Sequence, residues 1–247
     1  MMSSDNKRDQ LYAQPLAAVA DFRFDENVVK VFPDMINRSV PGYSTLVNLL
    51  GVLALNYVQP GSRIYDLGCS LGASTLSMMH HLQGIECHYV AVDNSAAMIE
   101  RAKALLPPAE AGQEVSLICA DIQDVIIKDA SVVVMNFTLQ FLNPEERLAI
   151  LQNIYRGLRP GGVLILSEKI QLPQPEQDQR FIELHHQFKK ANGYSDLEIS
   201  QKRSALEKVL IPESIETHSG RLLEAGFARV DTWYQCLNFV SLLAQKT

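Results

Sequence analysis

Cysteine is scarce in this 247-residue sequence and basic charge is not in excess. The four cysteines, Cys69, Cys87, Cys119 and Cys236, lie far apart, without a CxxC pair or the Cys/His spacing of a zinc site. No secretory leader precedes them, so we expect reduced thiols and a cytoplasmic protein. A chain of this length buries roughly three quarters of its unfolded surface and needs neither disulfides nor a structural metal.

Long hydrophobic runs are missing as well. The longest apolar-rich stretch, residues 45–58, is interrupted by Asn48, Gly51 and Asn56 and is too short to span a bilayer. The 22 Lys and Arg residues are outnumbered by 28 Asp and Glu, which gives a net charge of −6. Because affinity for a phosphate backbone depends on clustered Lys and Arg, this balance weighs against direct nucleic-acid binding. We therefore expect no membrane association and a small-molecule substrate.

Short apolar strands alternate with helices through the middle of the chain. The predicted strands are 63–67, 86–92, 114–120, 131–136 and 163–168, and the predicted helices between them are 73–82, 96–106 and 144–158. Such alternation indicates a parallel sheet covered on both faces. Two last apolar runs, 228–236 and 239–245, are too close together for a crossover helix, so we expect them to pair antiparallel. The prediction is an α/β fold with a mostly parallel seven-stranded sheet ending in an antiparallel hairpin, the class I methyltransferase arrangement.

Helical segments flank this sheet within a single predicted domain. Its parts are an N-terminal helical cap (1–60), an α/β core (61–169 and 212–247) and a helical insertion (170–211). In the cap we predict a loose arm over residues 1–20 and a first helix that begins at Asp25 and is interrupted at Pro33. The insertion is rich in charge and Gln, and an insertion of this length usually covers a site, so it is predicted to be a lid.

The segment Asp66-Leu67-Gly68-Cys69-Ser70-Leu71-Gly72 follows a predicted strand and opens a predicted helix. Glycine permits a tight turn and close approach of backbone to a ligand, and the helix start offers free N–H groups. As a dinucleotide fingerprint the segment is poor, because Ser70 stands at the second glycine and crowds a diphosphate. Asp66 instead matches the acidic residue that precedes the glycine loop of proteins that bind S-adenosylmethionine (SAM), which has no diphosphate.

Three further predicted strands end in polar residues, at the sheet edge where open α/β sheets bind ligands. Asp93 is expected to accept from the ribose hydroxyls, with Asn94 beside it. Asp121 and Ile122 are placed to meet adenine, and Asn136 is placed to face the reactive end of SAM. Each residue taken alone is as readily a loop or helix-cap residue, but the four strand ends in order favour SAM binding.

Long strings outside these motifs resemble the carboxy-S-adenosylmethionine synthases of bacterial tRNA wobble-uridine modification. The strings are FDENVVKVFPDMINRSVPGYS, YDLGCSLGAST, NFTLQFL, LSEK, FKKANGYSDLEISQKRSALE and WYQCLNF. They cover nearly the whole chain. Ile170 and Leu237 stand where the family is expected to have aromatic residues.

The resemblance implies an enzyme that converts SAM and prephenate into carboxy-SAM and phenylpyruvate, without a metal. It implies that Arg203 meets the new carboxylate and that Tyr43 lies at the same end of the ligand, as the catalytic pair. Gly68, Cys69 and Ser70 are implied as further SAM contacts. We add Arg38 as an anchor for prephenate, because an arginine fork binds a carboxylate bidentately. A homodimer is expected. Carboxy-SAM is expected to co-purify with it and to pass to a separate tRNA-modifying enzyme.

Three alternatives remain at this point. An ordinary SAM-dependent methyltransferase with a small acceptor shares every SAM motif, and a non-catalytic SAM-binding module differs only in lacking turnover. A nicotinamide dehydrogenase is disfavoured by Ser70. A single Glu183-x-x-His186 motif does not make a dinuclear iron site, which needs two copies and further carboxylates.

Overall fold

The computed structural model describes residues 8–247, and the start of the predicted arm and cap, residues 1–7, lies outside the described residues. One seven-stranded sheet has the order β3-β2-β1-β4-β5-β7-β6. Strand β7 is antiparallel to both β5 and β6, and the other neighbours are parallel. The strands are β1 (Ser62–Leu67), β2 (Cys87–Asp93), β3 (Gln113–Cys119), β4 (Ala130–Asn136), β5 (Leu158–Lys169), β6 (Arg229–Cys236) and β7 (Phe239–Gln245). The predicted sheet is confirmed.

Eight α-helices surround the sheet. They are α1 (Glu26–Ser39), α2 (Tyr43–Leu55), α3 (Ala73–His81), α4 (Ala96–Leu105), α5 (Pro144–Gly157), α6 (Pro175–Ala191), α7 (Asp196–Leu206) and α8 (Ile215–Glu224). Single 3₁₀ turns follow β3 and β4, at Ile122–Asp124 and Leu139–Phe141. Among the described residues, no helix is both long and apolar enough to cross a lipid bilayer.

The central strands are apolar on both faces because helices cover both faces. Val132, Val133, Val134 and Met135 of β4 are all fully buried. Val133 and Met135 belong to the core cluster that includes residues of α5 and α8, whereas Val132 and Val134 belong to the cluster with α2 and α3. Such double burial fixes the register of the sheet and therefore the positions of its carboxyl ends.

Helix α1 continues through Pro33 to Ser39, so the predicted interruption at Pro33 is wrong. Proline removes one helical N–H, a local cost that tertiary packing overrides here. Asp25 caps the helix by accepting from two backbone N–H groups, and its buried face packs against Leu71 and Met98. The unbroken helix carries its last turn toward the glycine loop.

The arm over residues 8–20 contains no helix or strand, but it is not loose. The side chain of Gln201 in α7 accepts from Leu16 N at 2.7 Å and donates to the carbonyls of Tyr12 and Gln14, both at 2.9 Å. Phe22 N donates to Ala205 O in the same helix. The arm thus fastens the insertion to the N-terminal cap.

Candidate functional site

A cavity of about 410 Å³ opens at the carboxyl ends of β1, β2 and β4. The glycine loop and the strand ends form its floor. Its other walls come from Phe22 and Phe24, which precede α1, from α1 itself, from the first residue of α2, and from the insertion helices α6 and α7. Residues of the insertion line the cavity, and its role as a lid stays a prediction. The volume suits a ligand of drug-like size.

The glycine loop needs its glycine at position 68. Gly68 has φ +79°, and a Cβ there would lie 2.2 Å from Thr138 Oγ1. Gly68 N and Cys69 N both donate to Val92 O, which ties the loop to β2. Ser70 also lies in the left-handed region, with φ +49°, at a cost of roughly 1–2 kcal/mol for a residue with a Cβ. Backbone strain of this kind is typical of ligand-binding loops.

Asp93 holds that strained loop in place. Its Oδ2 accepts from Ser70 N at 2.8 Å, and its Oδ1 accepts from Ser95 N at 2.9 Å. Burial raises the pKa of the Asp93 carboxyl, although the two backbone donors act in the opposite direction. Each oxygen keeps a further lone pair, and the side chain lines the cavity, so Asp93 is able to accept from two vicinal hydroxyls.

Asp121 and Asn94 form a second polar group on the floor. Asn94 Nδ2 donates to Asp121 Oδ1 at 2.8 Å, which joins the ends of β2 and β3. Ile122, buried in the turn that follows, presents an apolar surface beside them. A carboxylate next to an aliphatic surface matches the needs of an aminopurine, whose amine donates and whose ring faces are apolar.

Asn136 provides a direct test of fit for the amino-acid part of SAM. Its Nδ2 donates to Ser74 Oγ at 2.9 Å, whereas its buried Oδ1 has no hydrogen-bond partner among the described residues. A buried acceptor without a partner costs free energy unless a ligand supplies a donor. Because Asn136 lines the cavity, an ammonium group or a polarised C–H next to a sulfonium satisfies it. The residues present therefore fit SAM.

The glycine-loop acid and thiol have structural surroundings. Asp66 Oδ2 accepts from the backbone N and the hydroxyl of Thr75, and burial raises the pKa of this carboxyl to about 6. Asp66 is not among the residues that line the cavity. Burial also raises the pKa of the Cys69 thiol, so Cys69 is a protonated side chain that fills a turn rather than an activated nucleophile.

Aromatic side chains surround the end of the cavity away from the floor. Tyr43 packs 6.3 Å from Phe137, and Phe137 packs edge-on against Phe239 at 5.9 Å between ring centroids. Burial, followed by the nearby charge of Asp66, raises the pKa of Tyr43, which keeps its hydroxyl protonated. Phe24, just before α1, packs edge-on against Phe141, and both rings line the cavity. These rings give this part of the cavity an apolar lining.

Most of the residues predicted to bind SAM come together here. Those that line the cavity are Tyr43, Gly68, Cys69, Ser70, Asp93, Asn94, Asp121, Ile122 and Asn136. Their contacts with a ligand stay predictions.

The two predicted arginines do not line the cavity. Arg38 Nε donates to Asn192 O, its Nη1 donates to Asp9 O and Asp34 Oδ2, and the guanidinium stacks over the ring of Tyr194. Its Nη2 is buried without a hydrogen-bond partner among the described residues. It joins α1 to the insertion, and its role as an anchor for prephenate stays a prediction. Arg203 is exposed on α7. In a single chain the structure places it outside the site.

The cavity is also lined by three lysines and a histidine to which the sequence analysis assigned no role: Lys169, Lys189, Lys202 and His185. His185 Nε2 lies 2.7 Å from Ser39 O, and burial lowers the pKa of the ring to about 2, so the imidazole is neutral. Lys169 and Lys189 lay within the strings LSEK and FKKANGY, but nothing in the spacing distinguished a buried lysine from a solvated one. Over residues 8–247 no group of three or more His, Cys, Asp or Glu side chains is arranged to hold a metal ion.

Comparison with known proteins agrees with this geometry. A family model described as a methyltransferase domain matches residues 64–162. A human N-acetylserotonin methyltransferase, solved in complex with SAM, superposes with a TM-score of 0.58 at 16% identity, over 90% of this chain and 55% of that one. An O-methyltransferase-like protein of Nostoc punctiforme gives a TM-score of 0.60 at 16% identity, over 90% of this chain and 59% of that one. Fold and site together define a SAM-binding protein of the methyltransferase fold.

Two curated relatives are much more similar. The carboxy-S-adenosyl-L-methionine synthase of Trichlorobacter lovleyi is 60% identical over 242 residues, covering 97% of this chain and 99% of the relative. The protein of that name in Vibrio cholerae is 55% identical over 246 residues and the full length of both chains. The chain belongs to the carboxy-S-adenosyl-L-methionine synthase family and is an enzyme. The alternative of a non-catalytic SAM-binding module is therefore wrong.

Proposed function

We propose that this enzyme converts SAM and prephenate into carboxy-SAM and phenylpyruvate, for the 5-oxyacetyl modification of wobble uridine in tRNA. One observation carries the proposal beyond SAM binding: the cavity that contains the SAM residues is also lined by three lysines. A methyltransferase has little use for cations near a ligand whose sulfonium is already positive, because like charges repel. A reaction with a dianionic substrate and a carboxylated product requires them.

In this proposal the floor of the cavity holds SAM. Asp93 accepts from the ribose hydroxyls, Asp121 accepts from the adenine amine, and Asn136 Oδ1 takes the partner that it lacks. Bound SAM supplies a methyl group whose protons the adjacent sulfonium acidifies. The loop around Gly68 brings backbone close to the ligand, which a side chain at that position prevents.

The overall conversion balances without an external oxidant, reductant or metal. Prephenate loses carbon dioxide and its ring hydroxide as the ring becomes aromatic, which leaves phenylpyruvate. The hydroxide and one methyl proton form water, and the methyl carbon forms the new bond to carbon dioxide. A desolvated cavity favours this outcome because water competes as a proton source, and the rings of Phe24, Phe137 and Phe141 make part of the cavity wall apolar.

The proposal is tested by supplying the carboxyl group in two forms. Incubation of the enzyme with SAM and prephenate is expected to release phenylpyruvate, detected by its enol absorbance, in equal amount to the carboxylated product. SAM with bicarbonate is expected to give little product, because bicarbonate does not deliver desolvated carbon dioxide at the methyl carbon. An equal yield from bicarbonate eliminates the decarboxylation route.

We also propose that the enzyme is a homodimer in which Arg203 completes the site of the second copy. The lysines that line the cavity, Lys169, Lys189 and Lys202, form a cationic wall. Arg203 is exposed on α7, yet its charge contributes to lowering the pKa values of Lys169 and His186, so it lies beside this wall. An exposed arginine next to a buried cationic wall is well placed to reach across a subunit boundary. The acidic net charge favours transfer of the product to a separate tRNA-modifying enzyme, and we propose a cytoplasmic location.

Arg203→Ala is expected to weaken carboxy-SAM binding roughly tenfold or more and to leave SAM affinity nearly unchanged, because only the carboxylated ligand gains from the guanidinium fork. Titration calorimetry with each ligand measures this difference. Lys208→Ala removes another exposed cation near the end of α7 and serves as the control. Equal weakening of both ligands by Arg203→Ala contradicts a role directed at the carboxylate.

A further inference from the structure

Two lysines of the cavity wall, Lys169 and Lys189, have no ion-pair partner among the described residues. Lys189 of α6 is only 9% exposed, and Lys169 ends β5. In the part of the chain that the structure describes, neither ammonium lies within ion-pair distance of a carboxylate, although Asp178 acts on Lys169 from farther away. Partial burial of a charged group without an ionic partner costs free energy, and an anionic ligand that pairs with the group offsets that cost.

Their neighbour Lys202 has partners of its own. Its Nζ donates to Ser39 Oγ at 3.0 Å and lies 3.6 Å from Asp9 Oδ2, with a side chain 7% exposed. Lys202 therefore belongs to the contacts that fasten α7 to α1. Lys202 also adds to the positive potential at Lys189. The pKa of Lys189 is lowered to about 7, first by burial and then by the charges of Lys202 and Lys169.

We propose that Lys169 and Lys189 form the subsite that binds the carboxylates of the second substrate, a dicarboxylate of the prephenate type. Both side chains line the same cavity as the SAM residues, so an anion held between them shares that cavity with bound SAM. They come from different elements, a strand end and a lid helix, so the bound dianion links the insertion to the sheet. The assignment of the second substrate rests on the proposed function.

The experiment compares Lys189→Met and Lys169→Met with Lys190→Met. Lys190 is the matched control because it lies next to Lys189 on α6 but is exposed and paired with Asp196. At saturating SAM, the two cavity variants are expected to raise the KM for prephenate at least about tenfold, as for loss of a charge-assisted contact. Their affinity for SAM, measured by calorimetry, is expected to stay within about twofold of the parent enzyme. Lys190→Met is expected to change neither quantity.

The melting temperature of the ligand-free enzyme is a second measurement that distinguishes a substrate-binding lysine from a structural one. Methionine fills a similar volume without a buried charge, so Lys189→Met is expected to keep or raise the melting temperature of the ligand-free enzyme while it impairs prephenate use. Lys190→Met removes only an exposed ion pair and is expected to leave the melting temperature unchanged. A loss of stability in Lys189→Met with unchanged KM marks a structural residue and overturns the inference.

Failure of the subsite and failure of the proposed function have different signatures. If the parent enzyme converts prephenate and both cavity variants retain its KM, the subsite is refuted and the proposed function stands. If the parent enzyme does not convert prephenate, calorimetric titration of the SAM complex with phenylpyruvate decides the subsite separately. Selective loss of phenylpyruvate binding in Lys189→Met then supports the subsite, whereas equal or absent binding in all variants refutes it.

Discussion

Asp93→Ala is expected to reduce the affinity for SAM roughly a hundredfold or more. The substitution removes a charged acceptor from the ribose position, and hydrogen bonds to charged groups contribute about 1.5–3 kcal/mol each. It also removes the acceptor for Ser70 N and Ser95 N, the contacts that hold the strained loop against β2. Titration calorimetry with SAM measures the loss.

Asp124→Ala is the matched control for this result. Asp124 is an exposed carboxylate in the turn after β3 and does not line the cavity, so its removal is expected to leave SAM affinity unchanged. Asp93→Asn separates shape from charge: it keeps the size of the side chain but presents an amide donor to one of the two backbone N–H groups. It is therefore expected to bind SAM only slightly better than Asp93→Ala. Unchanged affinity in Asp93→Ala removes the residue from the site.

Arg147→Met is expected to lower the free energy of unfolding by about 3–5 kcal/mol, because three backbone carbonyls lose a charged donor and Glu213 keeps only Arg221 as an ionic partner. The side chain of Arg147 is fully buried in α5. It pairs with Glu213 and donates to the carbonyls of Gln140, Leu142 and Ile211. Gln140 and Leu142 line the cavity, so this arginine joins the cavity floor to the end of the insertion.

Urea denaturation of Arg147→Met and of Arg156→Met measures this contribution. Arg156 lies on the same helix and is exposed, so its substitution is expected to change stability by no more than about 0.5 kcal/mol. Methionine at position 147 retains most of the apolar stem, so the difference between the two variants reports mainly the lost polar contacts. Similar unfolding midpoints for the two variants contradict an anchoring role for Arg147.

Local patterns were sufficient to predict the sheet and the floor of the site. Alternating apolar strands and helices leave few topologies, and parallel strands bring their carboxyl ends to one edge, so Asp93, Asp121 and Asn136 meet without any knowledge of tertiary contacts. Pro33 misled the prediction because the rule for proline is local. The buried face of α1 and the cap at Asp25 offset the missing N–H.

The cationic wall was beyond the reach of sequence patterns. Lys189 and Lys190 are adjacent and chemically identical, yet one lines the cavity and the other is exposed, because a helix rotates successive side chains by about 100°. For the arginines, the sequence predicted ligand contacts at residues that do not line the cavity in a single chain. Arg38 was expected to face a substrate, but its Nη1 donates to Asp9 and Asp34 and its guanidinium stacks on Tyr194, contacts that the sequence did not indicate.

The mass of the nucleoside product formed from SAM and prephenate tests the central claim most directly. The account predicts a species heavier than SAM by one molecule of carbon dioxide, formed in step with phenylpyruvate and absent when prephenate is omitted. The same species is expected to remain bound to the enzyme after gel filtration. Recovery of unchanged SAM, or of S-adenosylhomocysteine with a methylated acceptor, contradicts a carboxy-SAM synthase and favours an ordinary methyltransferase.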